Sequence, residues 1–527
     1  MSGVRPTGEQ AYRSGAGAFV PGVRRVVRGA ELARRHVVTA DVCVIGSGAG
    51  GAPIAKELAE GGMRVIVLEE GDWWSTDQFA ARPRDMLPKL YRDGGQTVTL
   101  GVPALVLPVG KAVGGTTVVN SGTCFRTPAC VLERWRREDG LEALTSEELD
   151  PYFRRVEREI NVSRVPPALA GRNAEVIRRG AERLGWSGGY LYRNVRGCVG
   201  SGVCAYGCPS GAKQHTGITY VPRAWAAGAT TFTGTSAVGL ELARGRVRAV
   251  RAQTAGGGRL RVRCEVVVVA CGTLHTPTLL RRFGVGAPAL GRNLSLHPAS
   301  AVRARLDEDV QMWDGVPQSY YIDEFAGEGV MLEGTAGPPD YLAMITPRTG
   351  AEHRELMLDA RRTSMFGVMV SDSSRGRVFA LGRRPIIRYD LGEADARRFK
   401  RGILALVELY WAAGAREVIV PVRGVPTLCD GDSSALERHP VPPRSLTAMA
   451  FHPLGTARAS ADPARSVVDP ELAVRGVRGL HVADGSVIPS ALGVNPQITI
   501  MALATRLAFK LLGRPAPEHE PHPEHIV

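Results

Sequence analysis

The stretch Asp41-Val-Cys-Val-Ile-Gly-Ser-Gly-Ala-Gly-Gly51 joins a short β-branched run to a cluster of glycines. Residues 52–61 follow with a helix-like pattern, and residues 64–68 form a second apolar run that ends at Glu69. A strand, a glycine-rich turn, a helix and a strand closed by an acid make up the dinucleotide-binding βαβ unit. The stretch therefore predicts a parallel sheet with a dinucleotide site at its edge.

The spaced glycines and the acid each have a physical role in such a site. Gly46 permits the tight turn, Gly48 lets the backbone approach a pyrophosphate, and Gly51 lets the helix pack closely on the strand. The N-terminus of that helix offers free N–H groups and a positive dipole to phosphates. Glu69 lies twenty-three residues after Gly46, where a carboxylate accepts the ribose hydroxyls.

Length and composition describe a globular protein with a basic surface. At 527 residues the chain has room for two or more domains, since a domain typically takes about 100 to 200 residues. The net charge is +14, but the arginines are spread along the chain and no nucleic-acid-binding motif accompanies them. We therefore expect a solvated basic surface and no nucleic-acid partner, with an acidic redox partner or a membrane surface as the alternative.

The location of the protein is predicted from what its sequence lacks. No apolar run reaches the length of about eighteen residues that a transmembrane helix requires. Residues 1–36 are rich in arginine but contain no apolar core and no small-residue cleavage site, which indicates an arm rather than a signal peptide. We expect a cytoplasmic protein without a transmembrane segment, and peripheral membrane association stays open.

A second glycine-rich segment is Gly110-Lys-Ala-Val-Gly-Gly-Thr-Thr-Val-Val-Asn-Ser-Gly-Thr-Cys124. Glycines among small hydroxyl residues suit a backbone that lies against a flat ligand, because glycine allows close approach and unusual φ angles. A plain surface loop is the equally good alternative.

The remaining chain divides into a part that continues the parallel sheet and a part of different character. Periodicity and capping signals predict helices over 145–161, 173–184 and 393–413, a hairpin over 245–263 and a buried strand over 266–270. Short alternating runs at 301–306, 366–370, 378–381 and 386–390 are typical of antiparallel strands. The middle third therefore predicts a second structural unit that covers the first.

Several ordered motifs give the chain a family resemblance over residues 41–512. They are the glycine fingerprint (Gly46, Gly48 and Gly51) with its acid Glu69, the segment from Gly114 to Gly122, residues 272–286, residues 291–298, and Asp484-Gly485. In this order they resemble the motifs of the glucose-methanol-choline (GMC) flavoprotein oxidoreductases. Within that family the chain is most similar to bacterial long-chain alcohol oxidases and to the catalytic subunits of FAD-dependent glucose dehydrogenases. Phe283 departs from the family pattern, which usually has serine there.

The resemblance implies an α/β fold with a Rossmann-like FAD-binding domain and an inserted α+β substrate domain built on an antiparallel sheet. The expected division is an N-terminal arm at 1–37, an FAD-binding domain at 38–125, 226–298 and 445–513, a substrate-binding domain at 126–225 and 299–444, and a disordered tail at 514–527.

The resemblance also implies FAD as the cofactor and names the residues that would hold it. Gly46, Gly48 and Gly51 would lie against the pyrophosphate, and Glu69 would bind the adenosine ribose. The residues expected near the flavin are Gly114, Gly115, Thr116, Asn120, Gly122 and Thr123, with Asp484 and Gly485 at the riboflavin end.

His452 and Asn495 match the family's catalytic pair. Oxidising an alcohol by hydride transfer requires a base for the hydroxyl proton, and imidazole suits neutral pH. His452 would be this base and Asn495 would orient the substrate oxygen. The sequence leaves open which small-molecule alcohol is used, since aliphatic alcohols, sterols and sugars all remain candidates. A hydroxynitrile-lyase-like activity on the same scaffold is the alternative, and a photodecarboxylase is a third.

Cys198, Cys204 and Cys208 have a spacing similar to that in bacterial FAD-dependent glucose dehydrogenase catalytic subunits. There three thiolates carry a [3Fe-4S] cluster that relays electrons to a cytochrome, and soft thiolates suit iron and sulfide. Buried cysteines or a two-cysteine disulfide are the alternatives. We expect the electrons to pass either to oxygen or, through this loop, to a protein acceptor.

Overall fold

A computed structural model describes residues 25–346 and 348–518. The first strands in chain order are β1 (Val26–Arg28), β2 (Arg35–Thr39), β3 (Val42–Ile45), β4 (Val65–Leu68), β5 (Val162–Arg164), β6 (Gly188–Tyr190), β7 (Tyr192–Asn194), β8 (Thr230–Thr233), β9 (Thr235–Ala243), β10 (Arg246–Thr254) and β11 (Arg259–Arg263). They are followed by β12 (Val266–Val269), β13 (Pro298–Arg305), β14 (Tyr320–Ile322), β15 (Val330–Gly334), β16 (Thr363–Val370), β17 (Arg377–Leu381), β18 (Arg384–Arg388), β19 (Glu417–Ile419), β20 (Leu428–Cys429), β21 (Met449–Ala450) and β22 (Leu480–Val482). The helices are α1 (Gly51–Glu60), α2 (Pro83–Leu90), α3 (Ala129–Asp139), α4 (Ser146–Glu159), α5 (Gly171–Leu184), α6 (Tyr220–Ala226), α7 (Thr276–Arg282), α8 (Pro339–Ile345), α9 (Gly350–Leu358), α10 (Glu393–Ala413), α11 (Ser434–Arg438) and α12 (Gln497–Leu511).

A six-stranded parallel sheet of order β1-β8-β4-β3-β12-β22 forms the first layer. The glycine fingerprint connects β3 to α1, and the chain returns through β4, so the predicted βαβ unit is confirmed. All four residues of β3 and of β4 are buried, because helices and other sheets cover both faces. Such two-sided burial explains why these strands are continuous apolar runs rather than alternating ones.

An antiparallel sheet of order β20-β19-β13-β16-β15-β14-β6 forms the second unit, and β21 also pairs with β13. α10 packs against α5 and against β13, β15 and β16. Two of the predicted alternating runs belong to this sheet as β13 and β16, while the other two pair with each other as the β17–β18 hairpin. The predicted fold class is confirmed.

The third sheet has the order β2-β11-β10-β9 and contains the predicted hairpin as β10 and β11. β2 adds to it in parallel, and β1 adds to the edge of the six-stranded sheet. The described end of the predicted N-terminal arm is therefore built into two sheets. Residues 1–24 and residues 519–527 of the predicted tail lie outside the described residues.

The hydrophobic packing joins helices from different parts of the chain. α4 packs against α12, and α1 packs against α6 and α12. The buried side chains of Trp135 and Phe153 belong to the same cluster as the parallel strands. The exact domain boundaries stay a prediction.

Within residues 25–346 and 348–518, no helix combines the length and apolarity needed to cross a membrane.

Candidate active site

A cavity of about 1210 Å³ runs from the carboxyl ends of the parallel strands to the face of the antiparallel sheet. Its first part is lined by the turns that follow β3, β4, β12 and β22, and its second part by β13, β15 and β16. Ligands bind outside the carboxyl ends of strands in open α/β sheets. The cavity therefore continues the predicted dinucleotide site into the second unit.

The two glycine-rich segments meet at the first part of the cavity. Gly46 has a φ of +103°, and a Cβ there would lie 2.2 Å from the carbonyl oxygen of Ala270. Gly115 has a φ of +53°, and a Cβ there would lie 2.8 Å from the Cα of Gly48. A side chain at Gly46 would displace the backbone of the turn after β12, and one at Gly115 would push the two glycine segments apart. Glycine permits both close approaches.

Glu69 holds the fingerprint turn in place. One carboxylate oxygen accepts hydrogen bonds from Ser47 N at 3.0 Å and Ser47 Oγ at 2.6 Å. The other oxygen accepts from Gly71 N at 2.8 Å. Burial raises the pKa of this carboxyl above its ordinary value, and the Ser47 and Gly71 hydrogen bonds oppose that shift. Ser47 Oγ also accepts from Gly114 N at 3.0 Å, which ties the two glycine segments together.

Asp484 connects the ends of two further strands. It accepts hydrogen bonds from Gly272 N at 2.9 Å, from Thr276 Oγ1 at 2.5 Å and from Ser486 N at 2.8 Å. Its carboxylate therefore joins the turn after β12, the first turn of α7 and the turn after β22. The structure places Asp484 at the cavity wall with its oxygens already engaged by these donors.

The second glycine segment is joined to the start of α12. Asn120 Nδ2 donates to Gln497 Oε1 at 2.8 Å, and Gln497 Nε2 donates to the carbonyl of Thr123 at 2.8 Å. Gln497 was not identified as a site residue from the sequence, although it follows Asn495-Pro496 directly. It fixes the segment that would lie against a flavin relative to the residue expected to orient the substrate.

Most predicted cofactor residues line the cavity. They are Gly46, Gly48, Glu69, Gly115, Thr116, Asn120, Gly122, Thr123, Asp484 and Gly485. Gly51 and Gly114 lie behind its wall. A Cβ on Gly51 would lie 1.9 Å from the carbonyl oxygen of Gly46, which is the close contact of helix and strand expected of the third glycine.

His452 and Asn495 lie together where the cavity reaches the second unit. The Nε2 atom of His452 and the Nδ2 atom of Asn495 are 3.3 Å apart. The ring of His297 packs edge-on to that of His452, with centroids 5.5 Å apart. Burial in the cavity wall and, secondly, the His297 ring lower the pKa of His452 to about 3. The imidazole is therefore neutral at physiological pH.

Glu333 of β15 completes this group and was missed by the sequence analysis. Its Oε2 accepts from Asn495 Nδ2 at 3.3 Å, while its buried Oε1 has no hydrogen-bond partner among the described residues. Burial raises the pKa of this carboxyl to about 7, and the Asn495 hydrogen bond opposes the shift. An acid inside the apolar run of residues 330–334 was the available signal, because buried acids in strands need a partner or a function.

The floor of the second part of the cavity is made of small residues. Cross-strand pairing aligns Glu333 with Gly367 and Gly367 with Ala301. Ala299 lies two residues before Ala301 on the same face, and all three small residues line the cavity. The volume above this part of the sheet is therefore left to a ligand.

Among the described residues, the three cysteines of the predicted iron–sulfur site are not part of any group arranged to hold a metal. Cys204 Sγ accepts from Arg193 Nη2 at 3.1 Å, and Cys208 Sγ accepts from Lys213 N at 3.4 Å. Together with Cys198 they line a cavity of only about 10 Å³, which holds about one water molecule. All three thiols are free, and no group of three His, Cys, Asp or Glu side chains in the described part of the chain could hold a metal.

The prediction of a [3Fe-4S] cluster at Cys198, Cys204 and Cys208 is therefore not supported, and the suggested cytochrome partner loses its basis. The loop ends at Gly211-Ala-Lys213, and this lysine has a structural role. Lys213 is fully buried, and its Nζ donates to the carbonyls of Val118, Asn120 and Cys204 at 2.6 to 2.7 Å. It ties the cysteine loop to the second glycine segment.

Comparisons with known proteins agree with this geometry. Two models described as GMC oxidoreductase match the chain, over residues 87–299 and 372–504. An uncharacterised GMC-type oxidoreductase of Mycobacterium tuberculosis is 42% identical, over 91% of this chain and 76% of the relative. The chain belongs to the GMC oxidoreductase family. This confirms the family resemblance, and it makes the protein an FAD-dependent oxidoreductase.

Further similarities of this GMC oxidoreductase include an enzyme of known class. A long-chain-alcohol oxidase of Arabidopsis thaliana is 28% identical, over 90% of this chain and 67% of the relative. The crystal structure of pyridoxine 4-oxidase from Mesorbium loti superimposes with a TM-score of 0.71 at 20% identity, covering 89% of this chain and 98% of that chain. At that identity the structural match supports the fold alone.

The cavity fits the cofactor of the family. Two buried atoms at its wall, Nε2 of His275 and Oγ1 of Thr278, have no hydrogen-bond partner within the described ranges and are available to a ligand. The glycine contact at Gly48 and Gly115 leaves backbone exposed to the cavity rather than side chains. These features match a long ligand with phosphates and a flat ring, as FAD is.

Proposed function

We propose that this GMC oxidoreductase oxidises an alcohol at its CH–OH carbon, with His452 as the base and oxygen as the electron acceptor. The observation that carries the proposal is the meeting of His452, Asn495 and Glu333 in the cavity that begins at the fingerprint turn. The similarity to a long-chain-alcohol oxidase supports the substrate class and the acceptor.

The residues that would hold FAD are those of the two glycine segments, Glu69 at the adenosine ribose, and Asp484 with Gly485 at the riboflavin end. When bound, FAD supplies the hydride acceptor. The neutral His452 takes the hydroxyl proton of the substrate. One N–H of Asn495 donates to Glu333, which holds the amide in position. The other N–H, whose nitrogen lies 3.3 Å from His452 Nε2, would turn to the substrate oxygen when an alcohol is bound.

The test is anaerobic reduction of the bound flavin by a panel of aliphatic alcohols, sterols and sugars, followed by its visible absorbance. We expect at least one alcohol to bleach the flavin of the wild type. His452→Ala should retain FAD but reduce it roughly a hundredfold to ten-thousandfold more slowly, the range that general base catalysis contributes. His36→Ala, on the separate sheet that contains β2, is the control and should behave as the wild type.

A His452→Ala variant that reduces its flavin at the normal rate would exclude His452 as the base. Failure of every alcohol to bleach the flavin, combined with cleavage of a hydroxynitrile, would favour a lyase instead. Hydrogen peroxide formation during turnover in air tests the acceptor, since transfer of electrons to oxygen must produce it. Turnover with an artificial dye but without peroxide would contradict oxygen as the acceptor.

A further inference from the structure

Arg303 of β13 lines the cavity although it is only 4% exposed. Its Nη2 donates to the carbonyl of Ile345 at the end of α8, at 2.6 Å. Its Nε is buried, and no hydrogen-bond partner for it lies in the part of the chain that the structure describes. A buried guanidinium with an unused donor is costly, because burial of a charged group is favourable only when its donors are satisfied.

No carboxylate of residues 25–346 and 348–518 forms an ion pair with Arg303. The groups that act on its charge are the phenols of Tyr341 and Tyr410 and the guanidinium of Arg348. Burial, as the largest cause, lowers the pKa of Arg303 to about 10, so the side chain still carries its charge at neutral pH. The cavity therefore contains a cation whose counter-ion the described residues do not supply.

The register of the sheet places this cation relative to the proposed reacting end. Glu333 pairs with Gly367, which pairs with Ala301, and Arg303 follows two residues later on the same face. Two strand spacings and two residues of rise put the Cα atoms of Glu333 and Arg303 about 12 Å apart. Between them lie Gly367 and Ala301 of the floor, so one elongated ligand can reach both ends.

We propose that Arg303 binds a carboxylate of the substrate, so that this enzyme oxidises the hydroxyl end of hydroxy acids. The inference rests on the alcohol oxidation proposed above for the His452 end. The planar guanidinium presents parallel N–H donors that match a carboxylate, and such charge-assisted bonds are the strong ones. The bond to Ile345 leaves Nε of Arg303 for this purpose.

The test compares the binding of decanoate and decanamide to the FAD-loaded enzyme by calorimetry. The two probes share a chain and differ in charge. We expect the wild type to bind decanoate roughly tenfold to a hundredfold more tightly than decanamide, as for a buried charged pair. Arg303→Met should lose this preference. Arg305→Met is the matched control, because it lies on the same strand and already pairs with Glu417, and it should keep the preference.

FAD content and unfolding temperature show whether each variant is folded. Equal binding of both probes by the wild type overturns the proposal. A preference for decanoate that persists in folded Arg303→Met also overturns it. Flavin reduction by ω-hydroxydecanoate and decanol separates this inference from the proposed function. Oxidation of both alcohols with no decanoate preference overturns the carboxylate site alone. An Arg303-dependent preference without reduction by any alcohol supports the carboxylate site and contradicts the alcohol oxidation.

Discussion

Replacing the buried Glu333 with glutamine should change how the stability of the enzyme depends on pH. Glutamine keeps the shape of the side chain and an acceptor for Asn495 but cannot ionise. In the wild type, burial raises the pKa of the Glu333 carboxyl from its ordinary value of 4.5 to about 7. One pKa unit corresponds to about 1.4 kcal/mol. Ionising Glu333 in the folded protein therefore costs about 3 kcal/mol more than in the unfolded chain.

The direction of the effect follows from which state binds more protons. Between the two pKa values the folded state holds the Glu333 proton and the unfolded state does not. The contribution of Glu333 to the free energy of unfolding therefore falls as the pH rises through that window, and the loss is complete above about pH 7. Glu333→Gln should match the wild type near pH 4.5 and exceed it by about 3 kcal/mol near pH 8.

The assay is denaturant unfolding of the FAD-loaded enzyme at both pH values, with excess FAD for wild type and variant alike. The exposed Glu142→Gln is the control, and its difference from the wild type should not change with pH. If the difference between Glu333→Gln and the wild type is the same at both pH values, Glu333 does not titrate in this window. The assignment of Glu333 as a buried acid whose pKa is raised beside Asn495 would then be wrong.

Two further predictions concern the cofactor wall and the cysteine loop. Gly115→Ala should lose most of its FAD, because its Cβ would lie 2.8 Å from the Cα of Gly48 at a φ of +53°. Gly257 also has a positive φ, but a Cβ there would have no described atom within 4 Å. Gly257→Ala should therefore lower the free energy of unfolding by only about 1 kcal/mol and keep its FAD. Equal FAD content in the two variants would contradict the tight contact. Anaerobically purified protein should contain FAD but no iron or acid-labile sulfide, and about three irons per FAD would restore the iron–sulfur cluster.

The fold was largely predictable because its strongest signals are local. The fingerprint, its helix and the following acid lie within one short stretch, and the physics of a tight turn against a phosphate constrains each glycine there. The antiparallel runs were recognisable from alternation. Their pairing was not, since β17 and β18 form a separate hairpin although their alternation resembles that of β13 and β16.

The site was predictable only where family motifs cover it. His452 and Asn495 lie in such motifs, and the structure brings their side chains together. Glu333 and Arg303 reach the cavity through sheet register, which depends on strand partners distant in sequence. The cysteine spacing suggested a metal site, yet spacing does not say how much room the thiols leave between them. Here the three cysteines line a cavity of only about 10 Å³, and Cys204 and Cys208 each accept from a separate donor.

The floor formed by Ala299, Ala301 and Gly367 has a consequence for how this enzyme could diversify. The dimensions of the space above the sheet depend on residues that make no polar contact with the proposed base. A single larger side chain at Ala299 or Ala301 would shorten or narrow the accepted molecule away from the proposed base. Gly367 is less free to change, because it pairs with Glu333 and a Cβ there would lie 3.1 Å from the Glu333 carbonyl oxygen. Substrate range and chemistry are thus separately adjustable, and related enzymes could exchange one while they preserve the other.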